Sequence, residues 1–154
     1  MILVTLGTQK QQFNRLLQAL ENSNINDRIV VQAGYTKFES KKMEIFDFIP
    51  YDKMSNLIKE CDLVVTHGGT GSIIMPLKEK KKVIACPRLM KNKEHVDNHQ
   101  TEIVDIFSEE GYLLAFNDND DFDEVYQKSL TFMPKQYVSN TQNFINNLKK
   151  EINS

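Results

Sequence analysis

The stretch DLVVTHGGTGS, residues 62–72, carries the strongest signal in the sequence for the fold of the chain. Its first five residues are mostly apolar and predict a short buried strand. The glycine-rich turn that follows leads into residues 72–80, whose composition predicts a helix with Pro76 near its first turn. A strand joined directly to a helix by a glycine turn is half of a βαβ unit, so this stretch predicts a parallel sheet.

On both sides of this stretch, apolar runs alternate with amphipathic ones. The pattern predicts strands at residues 2–6, 28–33, 43–49, 62–66, 82–86 and 112–116. It predicts helices at residues 12–20, 53–60 with Asp52 as the cap, 72–80, 97–110, 121–130 and 138–152. We therefore expect an α/β fold with a doubly wound, Rossmann-like, parallel six-stranded sheet, forming one domain over residues 1–154 that includes the C-terminal helices at 121–152.

The overall composition is that of an ordinary globular domain. The 154 residues carry a net charge of −2, and 40% of them are hydrophobic and 26% charged. These values exclude collagen-like and disordered chains, and they argue against broad nucleic-acid binding. Cys61 and Cys86 are too far apart for a CxxC site and are predicted to be buried, reduced thiols.

The sequence also predicts a cytoplasmic protein. The first residues, MILVTLG, lack the basic segment and the long apolar run of a signal peptide. No stretch approaches the ~18 apolar residues of a membrane-spanning helix.

The turn His67-Gly68-Gly69-Thr70-Gly71-Ser72 is the first candidate site. Glycines let the backbone approach a ligand closely, and the helix start offers free N–H groups and the positive end of its dipole. The turn therefore predicts a phosphate cradle, to which the two hydroxyls and His67 can donate. It is neither a P-loop nor a GxGxxG fingerprint, and a tight turn needed only for packing remains the alternative.

The loop after the fifth predicted strand is the second candidate. Its acidic and amide side chains suit the binding of sugar hydroxyls, each of which donates and accepts; they are Glu94, Asp97, Asn98 and Gln100. Capping of the next helix by Asp97 is an equally good interpretation. A metal site formed by Glu94, His95, Asp97 and His99 is disfavoured because the HExxH pattern is missing.

A third loop, Gly7-Thr8-Gln9, follows the first predicted strand. The carboxyl ends of parallel strands meet at one edge of a sheet, so the three loops are expected to line one crevice there. Arg15 in the next helix is expected to form a surface ion pair.

Five motifs in this order support a resemblance to a known family. They are VTLGT at 4–8, FIPYDKM at 48–54, DLVVTHGGTGSI at 62–73, VIACPR at 83–88 and EHVDNHQ at 94–100. The order resembles the C-terminal domain of family 28 glycosyltransferases over roughly residues 1–116. It is most similar to the small single-domain members, which serve two-component UDP-sugar transferases of capsule, exopolysaccharide or dolichol-linked oligosaccharide synthesis.

The resemblance implies the donor-binding half of a GT-B fold. By position, Phe48 and Ile49 would meet uracil through backbone groups, and residues 68–72 would hold the diphosphate with His67 nearby. The acidic and amide residues of the second loop would face ribose or sugar hydroxyls, and residues 7–9 would lie near the donor sugar. Many members have a glutamate eight residues after the histidine, where it binds ribose; this chain has Met75, so ribose recognition is expected to move to Glu94 or to be weaker.

The function expected from this resemblance is inverting transfer of a hexose from a UDP-sugar to a polyprenol-linked acceptor, without metal or cofactor. At about half the usual length, the chain is expected to need a membrane-associated partner subunit that binds the lipid-linked acceptor and recruits it to the cytosolic membrane face. No residue is identified as the general base. Two alternatives stay open: a noncatalytic enhancer subunit, and another sugar-nucleotide enzyme such as an epimerase. An NAD enzyme is disfavoured because Ala33-Gly34 replaces the expected acidic residue.

Overall fold

The computed structural model describes residues 1–138, so most of the helix predicted at 138–152 lies outside the described residues. The strands are β1 (Ile2–Thr5), β2 (Ile29–Gln32), β3 (Glu44–Phe46), β4 (Leu63–His67), β5 (Lys82–Cys86) and β6 (Leu114–Ala115). The helices are α1 (Asn14–Glu21), α2 (Tyr51–Glu60), α3 (Thr70–Lys78), α4 (His99–Glu109) and α5 (Phe122–Thr131), with a short 3-10 helix at Met90–Asn92. The predicted order of strands and helices is confirmed.

All strand pairs are parallel, and the strand order is β3-β2-β1-β4-β5-β6. The chain starts in the middle of the sheet, with Val4 between Val31 of β2 and Val65 of β4. It winds first to one side and then to the other, so the order reverses between β1 and β4. A doubly wound sheet binds ligands outside the carboxyl ends of its strands at such a switch point.

The sheet separates two hydrophobic cores, one on each face. Successive strand residues point to opposite faces, so Val4 packs with Leu16 and Leu17 of α1, and Leu3 packs in the other core. That second core includes Ile73 and Leu77 of α3 and Phe107 of α4. Burial of strands on both faces explains why their sequences are almost continuously apolar.

Helices α2 and α3 begin earlier than the sequence predicts. The Asp52 cap is wrong: Pro50 occupies the N-cap position, its carbonyl accepts from the Met54 N–H at 2.9 Å, and Asp52 lies in the first turn. Helix α3 begins at Thr70 because Gly69 is extended and its carbonyl accepts from the Ile73 N–H. Pro76 therefore lies in the last turn of α3 and not near the first.

Helix α4 begins later than predicted, at His99 and not at Asp97. An Asp97 carboxylate oxygen accepts from the His99 N–H at 3.0 Å, which forms a turn just before the helix. Residue 98 occupies the N-cap position. The short β3 and β6 reflect the edge positions of these strands, where only one neighbour is available for pairing.

Candidate functional site

The imidazole of His67 lies at the carboxyl end of β4 between two glycines. A Cβ on Gly7 would lie 2.6 Å from its Cε1 and Nε2 atoms, and a Cβ on Gly69 would overlap Cε1. Gly7 also has a φ of +81°, which L side chains rarely adopt. The first loop and the glycine turn thus meet on the two sides of one ring, as expected for loops flanking the switch point.

His67 is 3% exposed and both of its ring nitrogens have partners. Its Nε2 is 3.1 Å from the Ser72 hydroxyl, and its Nδ1 is 3.1 Å from the Gln100 amide nitrogen. The Gln100 amide oxygen accepts from the N–H of Gly68 at 2.9 Å and from the N–H of Arg88 at 3.0 Å. Gln100 therefore connects the glycine turn to the loop after β5, and it lies in the interior.

Burial lowers the pKa of His67 to about 3, and the positive charge of Arg88 and the nearby His95 act in the same direction. The ring is therefore neutral at physiological pH. It brings no positive charge to an anion, and its two nitrogens are already paired with Ser72 and Gln100.

This low pKa makes stability depend on pH. Between pH 6.5 and about 3 the unfolded state binds a proton at residue 67 that the folded state does not. The free energy of unfolding should fall as the pH is lowered through this window, by about 1.4 kcal/mol per pH unit from this group. Urea titrations across the window measure the slope. The His67→Gln variant should have a shallower slope, and an equal slope in both proteins would contradict the prediction.

Helix α3 offers the atoms expected of an anion site. Its first turn, which lies wholly within the described chain, contains no acidic residue, and Thr70 and Ser72 are both partly exposed there. A Cβ on Gly71 would meet open space, so the backbone is accessible at this point. Free N–H groups and the helix dipole at such an end favour a phosphate.

Gln32 holds the first loop in place, which the sequence analysis missed. Its amide oxygen accepts from the Gly7 N–H at 3.3 Å, and its amide nitrogen donates to the carbonyls of Gly7 at 3.1 Å and Asp47 at 3.3 Å. The sequence signal that could have identified Gln32 is a polar residue at the end of the otherwise apolar run IVVQ. The bonds tie the loop after β1 to the loop after β3.

The other residues of the first loop differ in exposure. Thr8 is exposed, and the Gln9 side-chain oxygen is buried without a hydrogen-bond partner among the described residues. This oxygen lies beside Gly7, at the floor of the crevice. It is a buried acceptor that the described residues leave unsatisfied.

Glu94 is buried, and its carboxylate already has partners. The carboxylate accepts from Nε and Nη2 of Arg15, each at 3.0 Å, and from the Leu89 N–H at 3.0 Å. Arg15 does form an ion pair, but at a partly buried position and not on the open surface. Glu94 is therefore placed to hold the loop after β5 against α1, and this geometry does not support a ribose contact.

Arg88 is a second residue whose role the sequence analysis did not identify. It is fully buried beneath the first loop. Its guanidinium donates to the backbone carbonyls of Leu6, Gln11 and Glu94 and lies 4.8 Å from the centre of the Phe13 ring. Burial lowers its pKa to about 10, so it keeps its charge at neutral pH. This charge raises the electrostatic potential at the carboxyl edge of the sheet, which favours an anionic ligand.

Asp97 and Asn98 lie at the rim of the crevice. Asp97 oxygens lie 3.0 Å from Nδ1 of His95 and 3.4 Å from Nδ1 of His99, and a hydrogen bond from the His99 N–H lowers the pKa of Asp97. The Asn98 oxygen accepts from the Met90 N–H at 3.1 Å. Because Glu94 faces Arg15 instead, the four residues of the metal alternative do not converge.

Phe48 and Ile49 follow β3, two strands away from β1. Phe48 is 53% exposed and packs edge-to-face on Tyr35 with ring centres 5.4 Å apart.

Met75 lines a groove of about 380 Å³ between α2 and α3, which reaches Gly71 at the start of α3.

The structure thus gathers most of the predicted site at one edge of the sheet. The first loop and the glycine turn enclose His67, the loop after β5 supports them from behind, and the loop after β3 is tied to them by Gln32. Within residues 1–138, the helices fall short of the length and apolar character needed to cross a membrane.

Curated relatives of this chain carry the name of one transferase subunit in different organisms. UDP-N-acetylglucosamine transferase subunit ALG13 of Candida albicans is 31% identical over 125 residues, which are 78% of this chain and 37% of that protein. The chain spans about a third of the length of the first curated relatives it matches.

Solved structures share the fold. A solution structure of ALG13 matches with a TM-score of 0.66 and 22% identity, covering 99% of this chain and 96% of that one. The glycosyltransferase SnogD from Streptomyces nogalater matches with a TM-score of 0.57 and 14% identity, covering 99% of this chain but 39% of SnogD. The predicted fold, one half of a GT-B architecture, is confirmed.

The model of the family described as "Glycosyltransferase family 28 C-terminal domain" matches residues 1–153. This range contains the crevice between β1 and β4 and every loop that lines it. The chain belongs to the glycosyltransferase family 28 C-terminal domains.

Proposed function

We propose that this chain is the donor-binding subunit of an inverting glycosyltransferase that takes its sugar from UDP-N-acetylglucosamine. The observation that carries the proposal is the uncharged cradle at the switch point, where Ser72 and the free start of α3 stand beside a neutral His67 held between two glycines. A diphosphate fits this arrangement because hydrogen-bond donors and a helix dipole converge there.

The identity of the donor rests on the relatives. They are named as UDP-N-acetylglucosamine transferase subunits, which favours that sugar nucleotide over other UDP-hexoses. They give no support to capsule or exopolysaccharide synthesis, which the sequence analysis also considered. Because the relatives are named as one subunit of a transferase, we assign the acceptor site and the lipid-linked acceptor to a membrane-associated partner subunit.

The proposed chemistry is electrostatic. When an acceptor hydroxyl attacks the anomeric carbon, the bond to UDP breaks and negative charge grows on the departing diphosphate. The N–H groups of α3, the Ser72 hydroxyl and the buried positive charge of Arg88 stabilise that charge. Glu94, the buried carboxylate behind the crevice, is already bonded to Arg15, and we assign the general base to the partner subunit.

The bonding of Glu94 to Arg15 also favours the second candidate, a noncatalytic subunit that only stabilises its partner. The two candidates predict different results for binding. A donor-binding subunit binds UDP-N-acetylglucosamine on its own or with its partner, whereas a purely stabilising subunit binds none.

Isothermal titration calorimetry with UDP-N-acetylglucosamine and UDP-glucose tests the proposal directly. We expect saturable binding of the first, weaker binding of the second, and a loss of affinity of roughly tenfold in Ser72→Ala, because one hydrogen bond to a charged phosphate is removed. A matched control is Ser108→Ala, on an α4 position at the far end of that helix. No detectable binding by the wild-type chain, alone or with the partner, would exclude a donor site.

A further inference from the structure

The orientation of the Gln100 side-chain amide is fixed by its surroundings. Its oxygen lies 2.9 Å from the Gly68 backbone nitrogen and 3.0 Å from the Arg88 backbone nitrogen. Backbone N–H groups only donate, so the atom between them must be the carbonyl oxygen. The opposite end of the amide, 3.1 Å from His67 Nδ1, is therefore the NH2 group.

This orientation determines which nitrogen of His67 carries the proton. An NH2 group only donates, so Nδ1 must accept and cannot be protonated. In a neutral ring the proton then resides on Nε2, which lies 3.1 Å from the Ser72 oxygen and donates to it. His67 and Gln100 are each 3% exposed, and this interior position keeps water from competing for the bond between them.

The last group of the chain is the Ser72 hydroxyl. Because its oxygen accepts from His67, its own hydrogen is free to turn to the other side, and Ser72 is partly exposed in the first turn of α3. A hydroxyl oriented in this way presents a donor to an anion at the start of the helix.

We propose that Gln100 is a positioning residue that fixes His67 as its Nε2–H tautomer and so directs the Ser72 hydroxyl hydrogen toward the bound diphosphate. The inference rests on the proposed function for the identity of the ligand. It also changes the role expected of Gln100 from the sequence, because the side chain acts through His67 and does not itself face the sugar.

The groups that surround His67 make its protonation state insensitive to pH near neutrality. Among the described residues, the charged or titratable groups that act on the ring are Arg88 and His95 on the loop after β5, and both oppose a second proton. Cys86 of β5, the strand neighbour of His67, stays a neutral thiol because burial raises its pKa to about 12. The first loop contributes Gly7 and α3 contributes Ser72, neither of which titrates. UDP-N-acetylglucosamine is esterified at both ends of its diphosphate and loses no proton in this range, so wild-type affinity should be constant between about pH 6 and 8.

The Gln100→Glu variant should make binding depend on pH. Both carboxylate oxygens accept, so Nδ1 must now be protonated, and at about pH 8 a neutral ring would have a bare Nε2 that draws the Ser72 hydrogen inward. Affinity for UDP-N-acetylglucosamine should then fall roughly tenfold at this pH. It should recover at about pH 6, where the new carboxylate favours a doubly protonated ring that again donates to Ser72. Gln127→Glu, the same change at an exposed position of α5, should bind like wild type at both pH values.

Nitrogen-15 NMR of the ligand-free wild-type chain reads the tautomer without any ligand. Nε2 protonated and Nδ1 unprotonated is the expected result, and a protonated Nδ1 would overturn the inference even if the Gln100→Glu variant does not fold. Constant affinity in a folded Gln100→Glu variant would also overturn it. By contrast, absence of UDP-N-acetylglucosamine binding in the wild type, with the expected tautomer present, would contradict the proposed function and leave the tautomer assignment supported.

Discussion

Replacing Arg88 with methionine is expected to lower the free energy of unfolding by about 3–5 kcal/mol, as for the loss of one partner from a buried charged network. The guanidinium donates to three backbone carbonyls that belong to residues 6, 11 and 94. Methionine fills a similar volume but donates nothing, so three buried acceptors lose their partner. Urea denaturation followed by circular dichroism measures the change.

The matched control is Arg28→Met. Arg28 is an exposed arginine that pairs with Glu44 at 2.6 Å, and exposed ion pairs contribute little to stability. Its loss should shift the denaturation midpoint far less than the loss of Arg88. Equal shifts in the two variants would show that the carbonyl contacts of Arg88 do not stabilise the fold.

The Arg88 variant should also affect the site. The Leu6 carbonyl immediately precedes Gly7, so the guanidinium supports the loop that contacts one side of the His67 ring. Amide exchange in residues 6–11 should speed up more than exchange in α5, which lies elsewhere in the fold. Uniform acceleration over both regions would indicate global destabilisation alone.

The order of strands and helices could be predicted because it depends on local periodicity. Strands such as β5, whose predicted range 82–86 matches the structure, are buried on both faces and have an unmistakable apolar run. The helix starts were less predictable, because they depend on backbone geometry at one residue. Pro50 and Gly69 begin their helices without a side-chain cap. The expected Asp52 cap therefore placed the start of α2 too late, and the glycine turn gave no sign that α3 begins at Thr70.

The location of the site could be predicted, but several residue roles could not. Glycines beside a histidine at a strand end indicated the cradle, yet the sequence does not show that a Cβ at Gly7 or Gly69 would collide with the ring. Polar residues after β5 suggested a sugar site. Whether such a residue faces a ligand or the interior depends on distant partners: Glu94 binds Arg15, 79 positions away, and Gln100 binds Gly68, 32 positions away.

Replacing Gly69 with valine is expected to weaken binding of UDP-N-acetylglucosamine by about 100-fold or more while the fold is retained, since several hydrogen bonds of the cradle are disturbed together. The new Cβ would overlap Cε1 of His67, and the ring cannot move away because Gly7 lies against its other side. Relief of the clash requires a shift of the turn or the loss of the bonds from His67 to Ser72 and Gln100. Calorimetry measures the affinity, and far-ultraviolet circular dichroism checks the fold.

Gly71→Ala separates the steric effect at Gly69 from a general effect of adding a side chain to this turn. Its Cβ would meet open space, and alanine favours a helix over glycine, so the variant should be as stable as wild type or slightly more stable. A lower melting temperature in Gly69→Val than in Gly71→Ala would follow from the collision with His67. Wild-type affinity in a folded Gly69→Val protein would mean that the diphosphate is not held at this turn, because the imidazole and the Ser72 hydroxyl cannot keep their places beside a valine.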